Sequence, residues 1–351
     1  MLSRIETRRR TSLLLAFCLL TICPQIAAAA TCSTQSQMPP QQRDLLANQA
    51  RSMIALVEQG DVPSLRARTL PAIASDFTSI ASSVTTLSPL IRNATITVDE
   101  LYLLDASMLQ PGAERVQFFC GSPTVVLTFN GIPPGKYALA ILHVTGVPHP
   151  QQISIILASA AGNQWQLAGF YAKSMLEADH DGVWYWTTAR KFAQTKSNWP
   201  ALLYFRVAQN LLRPVDFLSS PNLEKLQQET DQAIPSDLPG KSPLILNVQG
   251  SNFSVTAVDT TTEFGPLDLD LHYSPDPAQA AQLRIPVSAR KQVTEVMSAL
   301  LLQHPDLKQA FHGIWIHADQ GSASLFALEL PMDQISSVPQ PQAAIAPGSM
   351  R

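Results

Sequence analysis

Charge is scarce in this chain. Only 15% of its 351 residues are charged, against about 25% in ordinary soluble domains. What charge there is leans acidic. Taking the four arginines and one glutamate of residues 1–30 from 24 basic and 27 acidic side chains leaves 20 and 26, a net −6. Nucleic-acid binding needs a basic surface to replace phosphate counterions, so that partner class is excluded. Cysteine is rarer still, four in all, and no Cys-x-x-Cys pair occurs. Thiolate metal knuckles and thioredoxin-like chemistry drop out with it. No Gly-x-Ser-x-Gly elbow raises a serine nucleophile, and no Gly-x-Gly-x-x-Gly or phosphate-cradling loop is present. With 46% hydrophobic residues, wholesale disorder is excluded too.

What is present begins with an export signal over residues 1–30. Arg4, Arg8, Arg9 and Arg10 precede a leucine-rich run from Ser12 to Ile22. Pro24 breaks it before Ala27–Ala30, small residues suited to signal peptidase. The run falls short of the roughly 20 residues a bilayer span needs, and no later stretch reaches that length. The expectation is a cleaved signal and a mature chain in the periplasm or outside the cell, with no stable membrane span. Cys18 and Cys23 leave with the signal. Cys32 and Cys120 remain in an oxidising compartment, where a disulfide is the default.

The mature chain divides by its periodicity. Residues 31–42 read as a polar lead-in. Leu46, Ala50, Met53, Ile54 and Val57 then mark a helix stopped by Gly60-Asp61. A second helical stripe runs from Ile73 to Leu87. Six strands follow between Ile96 and Tyr171, separated by turn chemistry and gaps short enough for antiparallel neighbours. Helices 184–196 and 199–212, with a third from Pro221, form a hairpin connector over 176–232, expected to pack on the first domain. Ala189, Phe192, Tyr204 and Ala208 give it a faint likeness to one tetratricopeptide-type hairpin, without a second copy. A Pro-rich linker (233–243) leads to a second small α+β domain over 244–335. A proline-, alanine- and glutamine-rich tail, 336–351, reads as disordered.

The fold class is therefore α+β: helices on one face of a curved antiparallel sheet, a helical connector, and a second α+β domain. Over about residues 44–172 the order of elements resembles the NTF2-like (cystatin-like cone) superfamily. The helix breaker Val57–Asp61 and the closing strand Trp165–Tyr171 carry the likeness. It implies a cone-shaped domain, in a superfamily that includes ligand-binding modules, interaction domains, and a few isomerases or dehydratases. The wider chain resembles a secreted bacterial family.

Candidate chemistry is thin. His143 shares a strand face with Tyr137, Leu139 and Ile141, where a cone-shaped pocket could use a base; a half-exposed histidine near a strand end explains it as well. Asp99, Glu100 and Asp105 are the carboxylates on offer, without an assigned place. His312 and His317, five apart, would point to opposite faces of one strand and not share an ion. A zinc site joining them to His304 would need a helix and a strand to converge. Asp179-His180-Asp181-Gly182 imitates a calcium loop, but its twelfth position is Arg190. Trp184, Tyr185, Trp186 and Trp199 would serve either as a stacking platform or as core packing.

The reading that results is an exported, non-catalytic binding or interaction protein. Its partner is a protein or a small apolar ligand, with Tyr137, His143, Trp184, Trp186 and Trp199 as candidate contacts, and no metal or cofactor is expected. The alternative is an NTF2-like enzyme of isomerase, dehydratase or hydrolase type with His143 as general base.

Overall fold

The computed structural model describes residues 30–161 and 164–336. The expected signal, except Ala30, and the expected tail, except Ser336, lie outside the described residues.

The first unit is built on a five-stranded antiparallel sheet. Its order is Thr31–Thr34, Thr95–Asp105, Lys136–Thr145, Gln151–Ser159, Trp165–Ser174. Alternation along Lys136–Thr145 decides which layer covers each face. Ala138, Ala140, Leu142 and Val144 face the helices Pro40–Gln59 and Thr78–Leu87, meeting Leu46, Met53, Ile54, Val57 and Val84. Tyr137, Leu139 and Ile141 face the other way, against Phe118 and Leu127. Those two belong to a separate three-stranded sheet of Arg115–Cys120, Val125–Asn130 and Leu218–Ser219. The expected run of consecutive strands is thus interrupted. The Arg115–Asn130 hairpin folds across the main sheet, and Thr95–Asp105 pairs with Lys136–Thr145 instead.

Three expectations need correction here. Residues 31–42 are not a loose lead-in: Thr31–Thr34 is an edge strand, Cys32 opposite Leu104, and the first helix begins at Pro40. The Cys32–Cys120 disulfide, present as expected, fixes that strand onto the small sheet. The stripe from Ile73 to Leu87 is two helices, Pro71–Ala74 and Thr78–Leu87. Arg66 Nε donates to Ala74 O (3.0 Å) at the end of the first of these helices, and Leu70 N, at its start, donates to Leu167 O (2.9 Å). Gly60 ends the first helix as anticipated, at φ +69°, a left-handed conformation that costs glycine little.

The third correction concerns the connector. Helices Gly182–Gln194 and Asn198–Leu212 send Tyr185, Ala189, Trp199, Leu202, Phe205 and Ala208 into the core of the C-terminal unit, not the first. The longer helix buries ten of its fifteen residues. A helix so apolar around its circumference needs cover on several sides, which the C-terminal sheet supplies. The first unit holds the end of the hairpin, where Lys173 Nζ donates to the carbonyls of Asn210 and Arg213, and the segment after it, which sends Val215, Leu218 and Leu223 into its core.

The C-terminal sheet runs Leu244–Val248, Ser251–Thr261, Asp268–Ser274, Gly313–Gln320, Ala323–Pro331. Its pairs are antiparallel except Asp268–Ser274 with Gly313–Gln320, which is parallel. A parallel pair requires a crossover, which here carries helix Pro286–Gln303. That helix covers one sheet face, setting Val293, Val296, Met297 and Leu300 in the core that holds Leu269, Leu271, Tyr273, Ile314 and Ile316. The residues between them along the two strands point to the opposite face. Among the described residues no helix is long and apolar enough to cross a membrane.

Candidate functional site

A pocket of about 490 Å³ opens between the first sheet and the hairpin. Asp99, Glu100, Tyr102, His143, Gln152 and Trp186 line its polar side. Val125, Ile141, Val183, Leu212, Leu218 and Leu223 make up much of the rest, with Ser220 and Asn222 among them. No lysine or arginine is among the lining residues.

The acidic end arises from a defect in strand pairing. Val98 pairs with Leu142, but Glu100 pairs with Ile141, so Asp99 is the extra residue of a β-bulge. A bulge re-aims side chains, and both consecutive carboxylates reach the same pocket. Asp99 Oδ2 stands 3.8 Å from His143 Nε2, an ion-pair distance beyond hydrogen-bond reach. The nearer neighbour of that nitrogen is the Gln152 amide nitrogen, at 3.3 Å, on the next strand. Gln152 Oε1 is shut off from water and has no hydrogen-bond partner. The Tyr102 hydroxyl donates to Glu100 Oε2. Burial, then the adjacent Glu100 carboxylate, raises the phenol's pKa far above its ordinary value, so it stays protonated. Asp105 belongs elsewhere, paired with Lys136 at 3.7 Å at the far end of the strand.

The other sequence candidates scatter. Trp186 is in the pocket, its Nε1 donating to Glu229 Oε2 (2.6 Å) and Arg190 lying 4.3 Å over its ring. Tyr137 is on the same strand face as His143, but its hydroxyl donates to Pro133 O (2.8 Å) and it does not line the pocket. Trp184 stacks on His180 (3.6 Å) in a different cavity, of about 830 Å³, between the two units. Trp199 is buried, donating to Asp237 Oδ1 (2.9 Å). The aromatic residues therefore do not make one platform. Asp181 caps the hairpin, accepting from Trp184 N (2.7 Å), which is the role left to the calcium-like sequence.

Sequence reasoning missed a second set, on the outward face of the C-terminal sheet. His272 lies opposite His317 across the parallel pair, with their rings stacked 4.6 Å apart. His272 Nδ1 is 2.6 Å from Asp319 Oδ2. Asp270 Oδ1 is 3.3 Å from Nε2 of each histidine. Burial opposes charge on His272, but the Asp319 hydrogen bond and the two carboxylate charges outweigh it and raise its pKa. Burial dominates at His317 and lowers its pKa, with His272 adding to the effect.

A neighbouring group joins His312, Glu329 and fully buried Asp268, with His312 Nδ1 3.1 Å from Asp268 Oδ1. Burial and the Asp268 charge raise the Glu329 carboxyl. So His312 and His317 do fall in different groups. Strand parity does not by itself separate them, because His312 precedes the strand, which starts at Gly313. His304 is apart from both, 3.2 Å from Asp237 and packed on Trp199. One legible signal was Asp268-Leu269-Asp270-Leu271-His272, whose alternation puts three ligand-type side chains on one face.

Compared with protein-family models, curated proteins and solved structures, the chain matches none.

Proposed function

We propose that the chain is an exported, non-catalytic binding protein whose first unit is NTF2-like. It holds a small, largely apolar ligand carrying an amine or ammonium group in the pocket beside His143. The observation that carries this reading is the lining itself. A largely apolar wall ends in Asp99 and Glu100, with no lysine or arginine among the lining residues. Pockets of this kind take orientation and specificity from a few polar groups and affinity from the apolar remainder. An N–H-bearing cation would meet the two carboxylates with charge-assisted hydrogen bonds. Export is supported by the Cys32–Cys120 bridge, since disulfides persist in oxidising compartments.

The general-base alternative is the weaker reading. In the familiar catalytic constellations a histidine base is oriented by a third group within hydrogen-bond reach. The nearest carboxylate to His143 is at 3.8 Å and its Nε2 already faces Gln152. Displacement of the fluorescent probe N-phenyl-1-naphthylamine tests the proposal. Octylamine should displace it at lower concentration than octanoate, a chain of equal length and opposite charge. Glu100→Gln should narrow that difference. Equal displacement by the two, or none by either, would refute the reading.

A further inference from the structure

The outward face of the C-terminal sheet carries donors for which the ligand pocket has no use. Asp270 and His272 are two apart on one strand, so both point to that face, and His317 stands across from His272 on the neighbouring strand. The donor atoms of these three residues all lie within 4.8 Å of one another. Asp270 Oδ1 is 3.3 Å from His272 Nε2 and 3.3 Å from His317 Nε2. Two ligands bound to one zinc ion at about 2.0–2.1 Å and a tetrahedral angle are themselves about 3.3–3.4 Å apart. The carboxylate oxygen is thus already at ligand spacing from both rings.

Hydrogen bonding does not account for the arrangement. Asp270 Oδ1 and His317 Nε2 are both shut off from water, and neither has an aligned hydrogen-bond partner. Buried polar atoms in folded proteins are paired in about 90% of cases or more, so two adjacent exceptions call for a cause. A cation between them would satisfy both at once. His272 is prepared for the same task. Because the Asp319 carboxylate can only accept, Nδ1 carries a proton toward it, which makes Nε2, on the side of Asp270, the nitrogen left to bind a metal ion. That carboxylate behind the imidazole is the usual support of a metal-bound histidine.

We infer that Asp270, His272 and His317 bind one divalent transition-metal ion of the zinc class, with Asp319 as the positioning residue for His272. Two imidazole nitrogens and one carboxylate suit zinc and its neighbours, whereas calcium and magnesium take oxygen sets. Three protein ligands leave a fourth position for water or an outside donor, unlike closed structural sites with four. His272 is the more exposed of the two rings, 33% against 13% for His317, and so forms the solvent edge of the group. Trp315, 4.3 Å from the His317 ring, walls one side and is itself braced edge-on by Phe264.

The test uses the full chain made without a histidine tag, stripped with a chelator and titrated calorimetrically with zinc chloride. The expected result is one tight equivalent. His317→Ala and His272→Ala should weaken it at least about 100-fold. Asp319→Asn should weaken it about 10–100-fold at unchanged stoichiometry, the range for lost outer-shell partners. Glu329→Gln, in the neighbouring group, should leave it unchanged. A measurement on the unaltered chain guards against variants that misfold: cobalt(II) should give the intense visible bands of a four-coordinate site. A weak six-coordinate spectrum, no zinc binding by the unaltered chain, or a folded His317→Ala that binds as tightly would overturn the inference.

Discussion

Replacing Cys32 and Cys120 together with alanine should unfold the first unit at markedly lower denaturant concentration. The bridge joins residues 88 apart in sequence. In the chain-entropy model a closed loop of that size raises the unfolded state's free energy by about 4–5 kcal/mol. The loop encloses both helices that cover the sheet and the strand Thr95–Asp105, so the effect falls on the whole unit. Cys120 is fully buried beside Phe118 and Leu127, and truncating it adds a packing loss of about 1 kcal/mol. Urea unfolding followed by far-UV circular dichroism reads the sum. With a slope of about 2 kcal/mol/M, the midpoint should fall by about 2.5–3 M. The slope itself should rise, because an unbridged unfolded chain exposes more surface. A double variant within about 0.5 M of the unaltered protein at equal slope would refute the loop-closure argument.

Two further outcomes follow from packing and burial. A Cβ at Gly182 would lie 2.6 Å from Leu212 Cγ and 3.0 Å from Leu211 Cβ, so Gly182→Ala forces the hairpin apart. The expected cost is about 1–3 kcal/mol by overpacking, despite alanine's better helix propensity, read as a lower melting temperature. Burial among the Asn210 and Arg213 carbonyls lowers the Lys173 pKa to about 8. Between that value and its unfolded one of 10.5 the unfolded chain binds more protons, so stability rises with pH across this window. Relative to Lys173→Met, the unaltered protein should gain about 1 kcal/mol between pH 7.5 and pH 9.5, after allowing for partial exposure. A difference that is flat or falls with pH would contradict the burial argument.

Strands were legible where one face is apolar. Arg115–Cys120 and Leu244–Val248 alternate cleanly, and both lie where periodicity places them. Thr31–Thr34 was not legible. Four small or polar residues carry no alternation, and what makes them a strand is an outside tether, the disulfide at Cys32. The packing of the hairpin was hidden for a related reason. Helix Asn198–Leu212 is apolar on most sides, so periodicity shows that it is buried but not against which sheet.

The sites follow the same logic. His143 was found from its strand face, but the bulge at Asp99 that brings two carboxylates to it is a pairing irregularity with no sequence signature. The alternation that aims Asp270 and His272 outward was readable. Their meeting with His317 depends on a parallel register set by a long crossover, which local pattern does not encode.

The most direct measurement of the binding proposal is a crystal structure of the protein grown with octylamine. The account predicts the alkyl chain along Ile141, Leu212, Leu218 and Leu223, with its nitrogen about 3 Å from the Glu100 or Asp99 carboxylate. An alkyl chain bound elsewhere, or entering with its nitrogen turned toward solvent, would contradict it.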